Sequence, residues 1–155
     1  IKWPNDVVLN GKKLVGILTE MSAQMNYIEY LVTGIGINAN LREFPEELED
    51  KATSLQKEIG HKVNRSALIA ECMEKIEENY EIFVKTQDLS GLMAAYQEAL
   101  VNQDQQVRVL EPGHEYTGVA RGINAMGELL VEKEDGTITE VYAGEVSVRG
   151  LYGYV

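Results

Sequence analysis

Three short stretches near the start of the chain carry side chains whose types and spacing could do chemistry. The first is Lys12-Lys13-Leu14-Val15-Gly16-Ile17-Leu18, a cation three residues before a strand glycine. On a two-residue period Lys13, Val15 and Ile17 share one face, and Lys12, Leu14 and Gly16 the other. An ammonium pointing with apolar residues must meet an anion or reach solvent. Spacing alone favours the simpler outcome, a lysine at a strand end that snorkels to water. The second stretch is Lys2-Trp3-Pro4-Asn5-Asp6. Asp6 is a carboxylate of the kind that holds Mg2+ together with substrate phosphates. Pro, Asn and Asp are also turn formers, and spacing alone favours a turn. The third is Gly34-Ile35-Gly36-Ile37-Asn38-Ala39, which matches the G-x-G-x-x-A of dinucleotide sites. That motif must open a helix, whereas Asn40, Arg42, Glu43 and Pro45 follow with no helical apolar stripe, so a Rossmann reading is rejected. Two alternate glycines ending in an asparagine favour close approach of a ligand to the strand, over packing beneath a helix.

Other chemistries lack their residues. His61 and His114 stand apart without zinc-ligand spacing, and Cys72 lies on an apolar helical stripe and reads as a core residue. No P-loop, G-x-S-x-G or H-E-x-x-H occurs.

These stretches must be positioned by strands. Val7-Val8-Leu9, Asn10-Gly11 and Lys12 to Met21 read as a hairpin, since Asn-Gly suits the positive φ of a type I′ turn. Ser22 to Asn26 reads as the next turn and Tyr27 to Ile37 as a third strand. From Tyr30 the third strand is nearly continuously apolar, which predicts burial on both faces. Asn38 to His61 is a polar connector with a short helical turn over Glu46 to Asp50, and a long connector is usually functional or mobile. Leu68, Ile69, Cys72, Met73, Ile76, Tyr80, Phe83 and Val84 recur at helical spacing behind Asn64, an N-cap residue. A second helix is expected from Gly91 to Val101, capped by Ser90. From Gln106 the period becomes two. Five short runs (Val107 to Leu110, Tyr116 to Gly122, Leu129 to Glu132, Thr137 to Tyr142, Val146 to Arg149) are separated by turns at Pro112-Gly113, Asn124 to Gly127 and Asp135-Gly136, the pattern of a small barrel. The boundary falls in the polar run from Asn102 to Gln105.

The chain has 155 residues, 45% hydrophobic and 25% charged, with 14 Lys plus Arg against 25 Asp plus Glu and a net charge of −11. This suits a soluble globular protein of one domain with a small appendage. The charge argues against a nucleic-acid surface, which needs clustered Lys and Arg. One cysteine excludes an internal disulfide. The longest apolar stretch, Tyr30 to Ile37, is far short of the roughly 20 residues of a membrane helix, and no signal peptide is visible. The start at Ile1 rather than Met suggests that Ile1 is not the natural beginning.

In order and spacing, Lys2-Trp3-Pro4-Asn5-Asp6, Lys13-Leu14-Val15-Gly16-Ile17-Leu18 and Gly34-Ile35-Gly36-Ile37-Asn38 resemble the catalytic core of bacterial biotin protein ligases. Gly144-Glu145-Val146-Ser147-Val148-Arg149-Gly150 resembles the end of the same family's SH3-like barrel. The resemblance implies an α+β chain. Residues 1–104 would be the C-terminal part of a class II synthetase-like catalytic domain, a mixed or antiparallel sheet with helices, and residues 105–155 the barrel. It implies an enzyme that makes biotinyl-5′-AMP from biotin, ATP and Mg2+ and passes the biotinyl group to a lysine of a carboxylase's biotin carboxyl carrier domain.

By the same resemblance, Lys13 and Asp6 are the catalytic residues. Lys13 contacts the biotin carboxylate and the adenylate phosphate, where a fixed charge would neutralise the developing oxyanions; Asp6 serves Mg2+ and the reacting phosphate. Gly16, Ile17, Gly34 and Gly36 would line the biotin site and Asn38 contact the adenylate, with Lys2 and Asn5 in support. The Asn40 to Leu55 connector resembles the loop that orders over the adenylate and excludes water from the mixed anhydride. The family's G-R-G-R-x-x-R loop does not occur here, which predicts that this chain alone activates biotin poorly. The resemblance further implies a cytoplasmic protein, no membrane, no nucleic-acid contact by this segment, and a homodimer. Alternative readings are a biotin-responsive corepressor-binding module of a ligase/repressor, an interaction-only fragment, and a lipoate or other acyl ligase.

Overall fold

Asn10 and Gly11 take φ of 51° and 75°, the left-handed pair of a type I′ turn, and close the hairpin expected at this dipeptide. A computed structural model of the chain describes residues 1–111, 114–142 and 147–150, the last four by backbone alone. Two compact units are formed, one of Asn5–Val63 and one of Ile1–Pro4 with Asn64–Val155. The expected Pro112-Gly113 turn and the Gly144 to Val146 part of the C-terminal motif lie outside the described residues.

The Asn5–Val63 unit is built on a three-stranded antiparallel sheet in the order β1 (Asp6–Leu9), β2 (Lys12–Gln24), β3 (Tyr27–Ile37). Residues of β2 pair with β3 from Val15↔Ile37 to Gln24↔Tyr27. The strand therefore runs three residues beyond Met21, through a bulge at Ser22/Ala23, and the expected Ser22 to Asn26 turn shrinks to Met25 and Asn26. The polar residues misled because Ser22 and Gln24 are satisfied on the strand itself: both donate to the Glu29 carboxylate, at 2.8 and 2.7 Å.

Burial of β3 on both faces is not found. Residues Tyr27 to Gly36 are exposed, because β3 is the sheet's edge and nothing described in its own unit covers it. The connector contains a 3-10 turn at Glu46–Leu48 and a helix, α1 (Leu55–Ile59), that the polar composition hid. Its signals were present: Ser54 caps the N-terminus, accepting from the Lys57 N–H at 3.1 Å, and Gly60 ends the helix at φ 81°.

The second unit begins with α2 (Arg65–Thr86). Asn64 caps it as expected, its side chain accepting from the Ser66 and Ala67 N–H groups. No residue of α2 is buried; Ile69, Met73 and Tyr80 stand more than half exposed and Cys72 is intermediate, so the apolar stripe is real but is not a core face among the described residues. The next helix, α3 (Met93–Ala99), starts later than expected. Ser90 does not cap it: the Asp88 carboxylate accepts the Ser90 N–H at 2.8 Å in a turn, and Leu92 takes the cap position.

Five strands follow, β4 (Gln106–Glu111), β5 (His114–Ile123), β6 (Leu129–Glu132), β7 (Ile138–Val141) and β8 (Ser147–Gly150), antiparallel in the order β7-β6-β5-β4-β8. These are the five predicted barrel strands. Among the described residues β7 and β8 remain the two edges and do not pair with each other. Val107, Val109, Ala120, Ile123, Leu129, Val131 and Val141 form the core, joined by Trp3 and Leu100. Trp3 is tied in by two hydrogen bonds, its N–H to Asn102 Oδ1 (2.9 Å) and its indole N–H to the Gly127 carbonyl (3.0 Å). No helix among the described residues is long and apolar enough to cross a membrane.

Candidate active site

The ammonium of Lys13 meets the carboxylate of Asp6 at 2.5 Å. Sequence periodicity placed Lys13 with Val15 and Ile17, and the structure corrects this. The register between β1 and β2 slips by one residue, from Val7↔Val15 to Val8↔Lys13, so Leu14 is the extra residue of a bulge. A bulge resets the two-residue alternation and brings Lys13 to the same side as Gly16. Asp6 is not merely a turn residue either; it opens β1, directly opposite Gly16. A Cβ on Gly16 would lie 3.0 Å from Lys13 Cε, 3.1 Å from Nζ and 3.8 Å from Asp6 Oδ1, so glycine is what lets this ion pair lie against the strand.

Gly16 stands opposite Gly36 across β2 and β3, and Leu18 opposite Gly34. Cross-strand partners project to the same face, as do residues two apart. The three glycines therefore leave bare backbone, bordered by the exposed Leu18 side chain, on the face that carries the Lys13 ammonium. Cβ atoms at Gly34 and Gly36 would make only ordinary contacts at 3.7 Å, with the carbonyls of Leu18 and Gly16. Packing within the unit does not demand glycine at either position, which favours approach of a flat ligand.

Asn5 fixes this strand pair from below in a reciprocal way: its side-chain amide donates to the Ile17 carbonyl at 2.7 Å, and the Ile17 N–H donates to the Asn5 carbonyl at 2.9 Å. Asn38 follows β3. Its N–H donates to the Leu14 carbonyl (3.0 Å) and its carbonyl accepts from Leu55 (2.9 Å), while its side chain has no hydrogen bond among the described residues. Lys2 belongs to the other unit, where it is buried.

The resemblance gave the Asn40 to Leu55 connector a place over the adenylate, but its direct hold on Lys13 was not read from the sequence. Residues 51–53 run alongside Lys13 as a parallel bridge centred on Ala52: the Lys13 N–H donates to the Lys51 carbonyl and the Thr53 N–H to the Lys13 carbonyl, at 2.8 and 2.9 Å. Only the polar Thr53-Ser54 pair hinted at it.

With Asp6 nearly buried (side chain 11% exposed) and Lys13 at 40%, the ammonium is oriented from behind and open in front. The arrangement suits an anionic group at Lys13 whose flat body lies along the glycine strip. No group of three or more metal-ligating side chains occurs among the described residues.

Comparison with known proteins bears on the same residues. Residues 1–38 match the biotin/lipoate A/B protein ligase family, and residues 104–149 match the biotin protein ligase C-terminal domain. The chain belongs to the biotin protein ligase family. It is 35% identical over 150 residues to the bifunctional ligase/repressor BirA of Bacillus subtilis, covering 96% of this chain and 46% of that protein. It is 30% identical over 148 residues to the biotin–[acetyl-CoA-carboxylase] ligase of Mycobacterium tuberculosis, covering 94% of this chain and 52% of that one. The chain thus spans about half the length of the curated relatives it matches. Among solved ligase structures, the apo biotin protein ligase of Aquifex aeolicus superposes with a TM-score of 0.85 at 33% identity, covering 97% of this chain and 64% of that one. The same enzyme in complex with biotin and ATP gives 0.81 at 31% identity, covering 97% and 61%. Every candidate residue from Lys2 to Asn38 falls in the segment matched to the ligase family.

Proposed function

We propose that the protein carrying this chain is a biotin protein ligase. In the first step the biotin carboxylate oxygen attacks the α-phosphorus of ATP; the new P–O bond gives biotinyl-5′-AMP and pyrophosphate leaves. In the second, a lysine ε-amine of a carboxylase's biotin carboxyl carrier domain attacks the acyl carbon, forms the amide and expels AMP. The observation that carries this reading is the Lys13–Asp6 pair lying against Gly16 at the head of a bare glycine strip. Lys13 is the group that would meet the negative charge on the phosphoryl and acyl oxygens as it develops; a charge fixed in advance needs no reorganisation at that moment. Gly16, Gly34 and Gly36 would receive the bicyclic ring of biotin and the Asn38 amide the adenylate; Ile17, paired with Ile35, turns its side chain to the opposite face and offers this strip only its backbone. Asn5 acts through Ile17 by holding β2, and Lys2 is assigned a supporting part.

Asp6 also bears on Mg2+. A single carboxylate fits an ion that arrives on nucleotide phosphates, since Mg2+ keeps most of its shell as water and phosphate. When bound, that ion neutralises phosphate charge, and Asp6 would supply one oxygen. Asp6→Asn is expected to raise the Mg2+ concentration needed for half-maximal adenylation several-fold, with little change in transfer from preformed biotinyl-5′-AMP. An unchanged Mg2+ requirement removes the metal role. Gly16→Ala tests the close approach. The added methyl must move the Lys13 side chain by a few tenths of an ångström, and a loss of about tenfold in adenylation is expected with unchanged thermal stability.

Residues 1–104 are read as part of the catalytic domain and residues 105–155 as the small barrel domain, in a cytoplasmic protein. The relatives named bifunctional ligase/repressor support a second use of the same site, in which adenylate occupancy is reported to a DNA-binding part elsewhere in the protein. This segment, at net −11, is not that part. The test of the proposal is transfer itself: the full-length protein with biotin, ATP and Mg2+ should add one biotinyl group to a carrier domain, read by mass spectrometry. Carrier left unmodified refutes it.

A further inference from the structure

Lys13 is gripped by its backbone as well as paired through its side chain. The Lys51 carbonyl and the Thr53 N–H clamp its peptide groups. What holds the clamp is Glu58, on the last turn of α1. The Thr53 hydroxyl donates to Glu58 Oε1 at 2.5 Å, and the Asn10 side-chain amide donates to Glu58 Oε2 at 2.6 Å. Asn10 lies in the β1–β2 turn, so one carboxylate joins the end of the connector to the hairpin that carries Lys13. The chain of bonds closes a ring from Asn10 along β2 to Lys13, across to Thr53, through Glu58 and back to Asn10. The Thr53 and Asn10 hydrogen bonds hold the Glu58 carboxyl below its ordinary range, so it stays an acceptor at neutral pH. Thr53 is 1% exposed, whereas Glu58 is exposed. A surface carboxylate with both oxygens spent on such a ring, linked to Lys13 through Thr53, is placed to hold geometry rather than to fill a core.

We infer that Thr53 and Glu58 are positioning residues that set the register and reach of Lys13. This rests on the adenylating role proposed for Lys13. The experiment is biotin-dependent ATP–pyrophosphate exchange by the full-length protein, with kcat, KM and thermal midpoint for each variant. Thr53→Val keeps shape and backbone N–H but loses the hydroxyl; Glu58→Ala removes the acceptor from an exposed position, and serves if Thr53→Val fails to fold. Each is expected to lower kcat about tenfold, with KM for biotin and ATP within about twofold and the midpoint within a few degrees. Thr53→Ser should restore kcat. Added to Lys13→Ala, Glu58→Ala should cost nothing more, because the two act as a unit. Parental kcat in both Thr53→Val and Glu58→Ala, beside a disabled Lys13→Ala, overturns this inference alone. So does a loss that adds fully to Lys13→Ala or tracks a fall in midpoint. Full exchange in Lys13→Ala removes the reading beneath it.

Discussion

Lys13→Ala should reduce biotin-dependent ATP–pyrophosphate exchange by about a hundred- to a thousandfold, the usual loss when one preorganised donor to a developing oxyanion is deleted. The size follows from the geometry. Lys13 is ion-paired with Asp6, and its ammonium is oriented before any ligand arrives. Removal takes one positive charge from beside the Asp6 carboxylate, at the point where the proposed reaction gathers negative charge. Lys13→Arg should recover little, because the planar guanidinium is bulkier than the ammonium that Gly16 admits. The far-ultraviolet spectrum and melting behaviour should stay near parental, since Lys13 is 40% exposed. Measured exchange within threefold of parent would remove Lys13 from the chemistry.

Leu129→Ala should be the most damaging of the conservative core truncations for stability. Leu129 is fully buried on β6, one strand in from the β7 edge of the five-stranded sheet, paired with Ile123 on β5 and Val141 on β7. All three belong to one core with Val107, Val109, Ala120 and Val131. Truncation at such a site costs about 2–5 kcal/mol, from lost transfer free energy plus the cavity left behind. For a unit of this size that corresponds to a fall of about 10 °C or more in its melting temperature. Met126→Ala, at a side chain exposed to solvent, is the matched control and should shift the midpoint by no more than a degree or two. Calorimetry on the full-length protein distinguishes the two; equal midpoints would show that this sheet is not held by its apolar core.

The fold was legible where local signals are strong. Asn10-Gly11 announced its turn because few dipeptides tolerate two positive φ angles, and Asn64 announced α2 because its side chain satisfies helix N–H groups that nothing else reaches. The alternation after Gln106 predicted the strands of the small sheet. What failed depended on contacts distant in sequence. The bulge at Leu14 is a property of how β1 and β2 pair, and no period read along β2 alone reveals it. The clamp of residues 51–53 on Lys13 joins segments some forty residues apart, and it hid inside a connector that composition marked as loop. Burial of β3 was overestimated because apolar content reports what a strand can bury, not what lies beside it.

For the candidate site, the residue types were readable but their meeting was not. Spacing alone left Asp6 in a turn and Lys13 snorkelling, and only the resemblance joined them. In the structure the two are an ion pair for a local reason, the loss of a side chain at Gly16.

The central question is whether the proposed site activates a carboxylic acid and which one, since the matched family spans both biotin and lipoate ligases. Isotope exchange between labelled pyrophosphate and ATP by the full-length protein, run in parallel with biotin and with lipoate, answers it in one measurement. Label should enter ATP only when biotin is present. Exchange that follows lipoate instead, or that is absent with both acids, would contradict a biotin-adenylating site at Lys13.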